Sequence, residues 1–267
     1  MFHFTGDHTR ICHGCWDQMR MPVPIRGPWA VPFRIFGISQ SKMNPNICTL
    51  CERAFHRIKK QKHIPATATI LFADIRGFTH LTERINPGEL SDIVSTFQDQ
   101  CAERIWAHDG IVNKQMGDGL MSIFNFPIKV ENHAEAAIVA AFEIQQQCKD
   151  ALDALTTRFD KTLPGTLGVG VGVHTGLVEI GQFSTDRSDF TALGGTVNLA
   201  ARLEARAAAG EVLISAECAA LAPDITTGTR TRRLELKGIE LPVFAHVLTV
   251  AHNTATPKPG TSDLALI

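Results

Sequence analysis

The sequence contains no apolar run long enough to cross a membrane. Uninterrupted apolar stretches such as Ala136–Phe142 stop far short of the ~20 residues that a spanning helix needs. The first residues are broken by Asp7, His8 and Arg10 and carry no apolar h-region, so no signal peptide is expected. A disulfide framework is missing too. Seven cysteines is an odd number, and Cys101, Cys148 and Cys218 each stand alone. There is no internal repeat, and 44% hydrophobic with 20% charged residues excludes wholesale disorder. A cytoplasmic globular protein with reduced thiols is what remains, and 267 residues predict one large domain or two small ones.

The formal net charge of −1 conceals an uneven distribution. Residues 1–64 carry ten Lys/Arg against Asp7, Asp17 and Glu52, or +7, and the remainder carries −8. Opposite signs suggest two modules, or a basic extension on an acidic body. The first segment is rich in proline (Pro22, Pro24, Pro28, Pro32, Pro45), has little periodicity and holds two Cys-x-x-Cys pairs. That composition reads as a small module held by something other than a large apolar core.

From residue 65 the pattern changes. Ala66–Ala73 is a compact β-branched strand, and Glu89–Trp106 recurs at helical spacing. Ile111–Phe124 reads as two strands around a Gly117-Asp118-Gly119 turn, and Asn132–Leu155 as a helix. Leu167–His174 alternates glycine with Val or Leu, a strand that admits close backbone approach. A loop over 181–189, a helix over Thr196–Ala208 and strands at Glu211–Ser215, Arg233–Lys237 and Phe244–Val250 follow. The order predicts an α+β fold with a ferredoxin-like βαββαβ core. Residues 251–267 read as a flexible tail.

Asp74 closes the first apolar strand, where a carboxylate is costly unless a cation or hydrogen bonds satisfy it. Asp118 sits at the tip of the hairpin expected beside it. Two such carboxylates suit Mg²⁺, or else Asp74 caps the next helix and Asp118 makes a turn. Lys114 has the strand parity of Asp118 and is either a solvated residue or a ligand donor. Asn198 and Arg202 lie i, i+4 on one helix face and suit a phosphate, or Arg202 pairs with Glu204 or Glu211 at the rim. Thr191 joins this group, and Lys237 is individually uninformative.

These residues stand in motifs that resemble the catalytic domain of class III nucleotidyl cyclases, the adenylate/guanylate cyclase family. The stretches are Phe72–Thr79, Val112–Gly119, Gly172–Gly176, Thr191–Glu204 and Leu236–Gly238, in order over some 185 residues. The resemblance implies a cyclase domain over 65–250 behind the cysteine-containing extension of 1–64. It implies two Mg²⁺ or Mn²⁺ ions on Asp74, Asp118 and the Ile75 carbonyl. It further implies Arg202 at the α-phosphate, Asn198 at the ribose and Lys237 at the terminal phosphates. Lys114 can only donate, which suits adenine N1, and Thr191 can accept from the 6-amino group. ATP is therefore the expected substrate and cyclic AMP the product. GTP users in the family carry glutamate at the lysine position, and many members carry aspartate where Thr191 stands. The family's sites lie between two chains, which implies a head-to-tail homodimer.

Cys12, Cys15, Cys48 and Cys51 form two Cys-x-x-Cys pairs separated by 32 residues. A four-thiolate zinc site, an iron–sulfur cluster, a redox dithiol pair and unligated cysteines all remain open. A zinc- or nucleic-acid-binding N-terminus on a silent cyclase body is a second class of reading. Aromatics not spaced for stacking argue against nucleic acid. A regulatory pseudo-cyclase is a third, and the intact Asp74, Asp118, Asn198 and Arg202 set argues against it.

Overall fold

The computed structural model describes residues 10–58, 64–82, 85–158, 167–181 and 191–249. Its centre is one eight-stranded sheet. The strands are β1 (Ile64–Arg76), β2 (Ile111–Met116), β3 (Gly119–Phe124), β4 (Gly168–Gly181), β5 (Thr191–Leu193), β6 (Glu211–Ser215), β7 (Arg230–Leu234) and β8 (Val243–Thr249). Their order is β2-β3-β1-β4-β6-β8-β7, with β5 paired to the end of β4. The first four strands are antiparallel to their neighbours in the ferredoxin-like order, and β6 adds parallel to β4.

β1 sits in the middle and is buried on both faces. Leu71, Ala73 and Ile75 point into one core, with Leu120, Val171 and Ile214. Ala68, Ile70 and Phe72 point into the other, with Ile123 and Ile180, as the two-residue period of a strand requires. Helices α4 (Phe78–Thr82), α5 (Pro87–Ala107) and α6 (His133–Arg158) cover the first face through Leu81, Phe97, Ile105, Ala137 and Ile144. Helix α7 (Gly195–Glu204) covers the second through Ala200. Asn86 opens α5 with a reciprocal capping box to Glu89, and Pro87 stands at the first helical position.

The glycine alternation in β4 has the use its pattern predicts. A Cβ on Gly172 would land inside the backbone of α7 at Ala200 and Glu204, so α7 lies directly on the strand. Several boundaries differ from expectation. β4 continues past His174 to Gly181 because β1 pairs with it along its whole length, and β5 was not foreseen. The strand expected over Arg233–Lys237 runs over Arg230–Leu234 instead. β7 ends where Leu234 meets Val243, the first residue of β8, and Gly238 then turns with φ +72. Lys237 is therefore a turn residue. The helix expected to reach Ala208 ends at Glu204, whose side chain is held by Arg76. The expected loop over 181–189 lies beyond β4 almost entirely outside the described residues, as does the expected tail.

The N-terminal segment forms α1 (His13–Met19), α2 (Val31–Ile35) and α3 (Thr49–Ile58) around a small cluster of the four cysteines, Val23, Ile25, Ile47 and Ile128. It docks on the α5–β2 turn. Among the described residues no helix is long and apolar enough to cross a membrane. All seven cysteines are buried and none is in a disulfide.

Candidate active site

Asp74 lies near the end of β1 between Gly119 of β3 and Gly170 of β4. A Cβ on Gly119 would sit 2.9 Å from Asp74 Oδ1, and one on Gly170 would overlap the Arg76 guanidinium. Both neighbours are glycine because a carboxylate and a guanidinium occupy the space. Asp118 occupies the hairpin turn, not a strand, so strand parity does not tie it to Lys114. Its main-chain oxygen accepts from the Ile75 N–H at 3.0 Å, and Gln98 Nε2 donates to Gly117 O at 2.8 Å. The tip is thereby pinned to β1 and α5. The Ile75 side chain is buried in the main core, which fixes the peptide the resemblance singles out.

Two further residues complete this corner. Arg76 Nη1 lies 3.0 Å from Asp74 Oδ2, and Arg76 also pairs with Glu204 at the end of α7. Arg76 follows Asp74 at strand spacing, so parity alone points it to the same face. Burial pushes Asp74 up to about 6, helped by the Glu204 and Asp118 carboxylates and opposed by Arg76. Burial likewise raises Glu204, with Arg76 opposing. Three carboxylates face one guanidinium in a half-buried corner, an excess of negative oxygen that fits a hard divalent cation.

A pH signature follows. Asp74 titrates higher folded than unfolded, so ionising it costs stability that is absent at low pH and fully felt above about pH 6. In metal-free buffer Asp74→Asn is expected to melt above the parent at pH 7.5, with the gain vanishing near pH 4. Arg76 retains Glu204 in that variant. Mg²⁺ should raise the melting temperature of the parent and leave Asp74→Asn nearly unmoved; thermal melts at the two pH values check both.

The second cluster joins β5 to β2. Thr191 is buried, and its hydroxyl donates to Asn113 Oδ1 at 3.2 Å and, at 3.4 Å, to the carbonyl of Ala192. Asn113 is the extra residue of a bulge between Val112 and Lys114, and a bulge re-aims side chains. Lys114 next to it is exposed. Asn113 carried no expected role: only the bulge and the pairing of β5 with β4 bring it to Thr191.

The third group is on α7 and the turn after β7. Asn198 is exposed and Arg202 half-buried on the side away from β4. A Cβ on Gly238 would lie 3.3 Å from Arg202 Nη2, so the exposed Lys237 and Arg202 share one corner. The rim pairing offered for Arg202 is not what the structure holds. Glu204 goes to Arg76, and Glu211 binds Arg232 with Oε2 2.9 Å from Nη1. Among the described residues Arg202 has no carboxylate partner, which leaves a guanidinium for an anionic ligand.

The two Cys-x-x-Cys pairs meet. The Sγ atoms of Cys12, Cys15, Cys48 and Cys51 all lie within 4.8 Å of one another and are buried.

Comparison with known proteins bears on the family and the fold. Residues 60–249 match the sequence model of the adenylate and guanylate cyclase catalytic domain. An adenylate cyclase of Anabaena cylindrica is 32% identical over 137 residues, 51% of this chain and 26% of that protein. The chain thus spans about a quarter of that curated relative. The crystal structure of the guanylyl cyclase Cya2 superposes with a TM-score of 0.65 at 27% identity, covering 73% of this chain and 98% of that one. The adenylyl cyclase CyaB from P. aeruginosa gives 0.62 at 29% identity, covering 70% and 96%.

Proposed function

This chain belongs to the adenylate and guanylate cyclase catalytic domain family, and on that premise we propose that it converts ATP to 3′,5′-cyclic AMP and pyrophosphate. The observation that carries the choice of base is the Thr191–Asn113 hydrogen bond. The Thr191 proton has acceptors within the protein, Asn113 Oδ1 at 3.2 Å and the Ala192 carbonyl at 3.4 Å, so the hydroxyl offers lone pairs to a ligand. Lys114 beside it can only donate. An acceptor next to a donor matches the 6-amino group and N1 of adenine. Guanine presents the reverse, an O6 acceptor beside an N1–H donor.

The remaining residues divide the rest of the nucleotide. Asn198 orients the ribose, Arg202 takes the charge that grows around the α-phosphorus, and Lys237 holds the terminal phosphates. The ribose 3′-oxygen attacks the α-phosphorus in line as its proton passes to solvent, the bond from the α-phosphorus to the bridging oxygen breaks, and pyrophosphate departs. Asp74, Asp118 and the Ile75 carbonyl would hold two Mg²⁺ or Mn²⁺, which acidify the 3′-hydroxyl and offset triphosphate charge. With a cation on Asp74, Arg76 would still be paired with Glu204.

A second copy of the chain completes each site in this reading. Met116, Leu177 and Leu193 are large apolar side chains exposed near the base-reading cluster, with Leu177 at 65%. Apolar surface of this kind calls for a covering partner, here a head-to-tail homodimer. A solved guanylyl cyclase among the similar structures makes GTP the competing substrate. Purified chain given ATP or GTP with Mg²⁺ or Mn²⁺ decides between them by product chromatography. Cyclic AMP is expected with at least a tenfold preference. Cyclic GMP as main product overturns the base assignment and spares the family.

A further inference from the structure

The four cysteines stand outside the cyclase chemistry, and their geometry discriminates among the ligands that the spacing alone leaves open. Sγ–Sγ separations of 3.3 Å (Cys15–Cys51), 3.5 Å (Cys15–Cys48) and 3.6 Å (Cys12–Cys51) place the sulfurs around one point. A tetrahedral zinc with Zn–S near 2.3 Å separates its sulfurs by about 3.8 Å. A cluster of two or four irons places its thiolates on different irons and spreads them beyond one metal's shell. The backbone is also arranged for thiolates. The N–H groups of Cys15 and Cys48 point at Cys12 Sγ (3.4 and 3.1 Å), and that of Cys51 points at Cys48 Sγ (3.4 Å). Gly14 belongs to the same design, because a Cβ there would press on Cys51 Sγ at 3.0 Å. Four ionised thiols around a divalent cation leave a charge of −2, and they sit in the +7 segment.

The segment between the pairs reaches the base-reading strand. The Met43 carbonyl accepts from Trp106 Nε1 at 2.6 Å and from the Val112 N–H at 3.1 Å. The fully buried Asn44 donates through Nδ2 to Gly110 O at 2.8 Å, and Asn46 O accepts from the His13 N–H at 2.9 Å. Val112 immediately precedes the bulged Asn113. β2 is an edge strand, and Met43 takes up an edge amide beside the bulge that aims Asn113 and Lys114.

We propose that Cys12, Cys15, Cys48 and Cys51 bind one zinc ion, and that the knuckle it closes clamps β2 so that Asn113 and Lys114 are held for the purine. Binding exchanges thiol protons for the metal: the Zn–S bonds form as the protons pass to solvent, and no electron moves. The clamp rests on the cyclase reading; the zinc does not.

Metal analysis of the full chain is expected to give about one zinc per chain and no iron, falling to none in Cys48→Ser. A parent that is stoichiometric in iron, or folded without metal, overturns the site. Since Cys48→Ser can fail to fold, Trp106→Phe tests the clamp separately: it removes the indole N–H with the pyrrole part of the ring, while the Val112 N–H to Met43 O bond and the four cysteines stay. It should keep its zinc, raise KM for ATP on the order of tenfold and lower the ATP-to-GTP ratio, with kcat nearly unchanged. Hydrogen exchange at the amides of Val112–Lys114 reads the clamp without turnover and should accelerate in Trp106→Phe. Unchanged exchange, KM and ratio in a zinc-loaded Trp106→Phe protein overturn the clamp. A parent with zinc and a protected β2 but no cyclic product overturns the cyclase reading instead.

Discussion

Asp74→Ala and Asn198→Ala proteins, each assayed alone, are expected to lose cyclic AMP formation by at least a hundredfold, and an equimolar mixture to recover about a quarter of the parent rate. The losses have the size usual for removing a group that stabilises charge or holds a reactant at the transition state. The recovery is the diagnostic part. If Asp74 of one chain and Asn198 of another serve the same nucleotide, a mixed dimer pairs two defects in one site and none in the other. Random exchange puts about half the chains in mixed dimers with one of two sites intact, hence the quarter. A single-chain site predicts no recovery at any mixing ratio. Mixtures that stay silent although the chains exchange partners would therefore exclude the shared site.

The features that decide this experiment differ in how far they can be read from the chain. Asp74 is conspicuous because a carboxylate ends an apolar strand, and Asp118 because Asp-Gly between alternating residues makes a hairpin tip. The glycines of β4 are readable for the same local reason: only close backbone approach justifies them in a core strand. Arg76 was half readable. Its parity with Asp74 is local, but its second partner, Glu204, is brought by α7 crossing the sheet and has no local signature. Lys237 misled in the other direction. Leu234 and Leu236 alternate as a strand would, yet both are buried around a turn, because β8 ends the pairing at Leu234. The four cysteines announced themselves by spacing, while their meeting depended on 32 intervening residues folding back.

Thr191 and Asn113 were the least legible pair and carry the largest expected change in specificity. Lys114→Glu should lower kcat/KM for ATP about a hundredfold, since a carboxylate facing adenine N1 opposes lone pair to lone pair. It should gain little with GTP, because Thr191 still presents lone pairs to O6 while its proton goes to Asn113. Adding Asn113→Ala frees that proton for O6. Among the described residues the longer 3.4 Å contact to Ala192 O is then what competes for it. The double variant is expected to prefer GTP, a swing in the ATP-to-GTP ratio on the order of a thousandfold from two hydrogen bonds reversed in sense. The parent, both single variants and the double are compared by kcat/KM for each nucleotide. Strict additivity of the two single changes would show that Asn113 does not set the sense of the Thr191 hydroxyl, because the mechanism requires that Asn113→Ala help GTP only once Lys114 is gone.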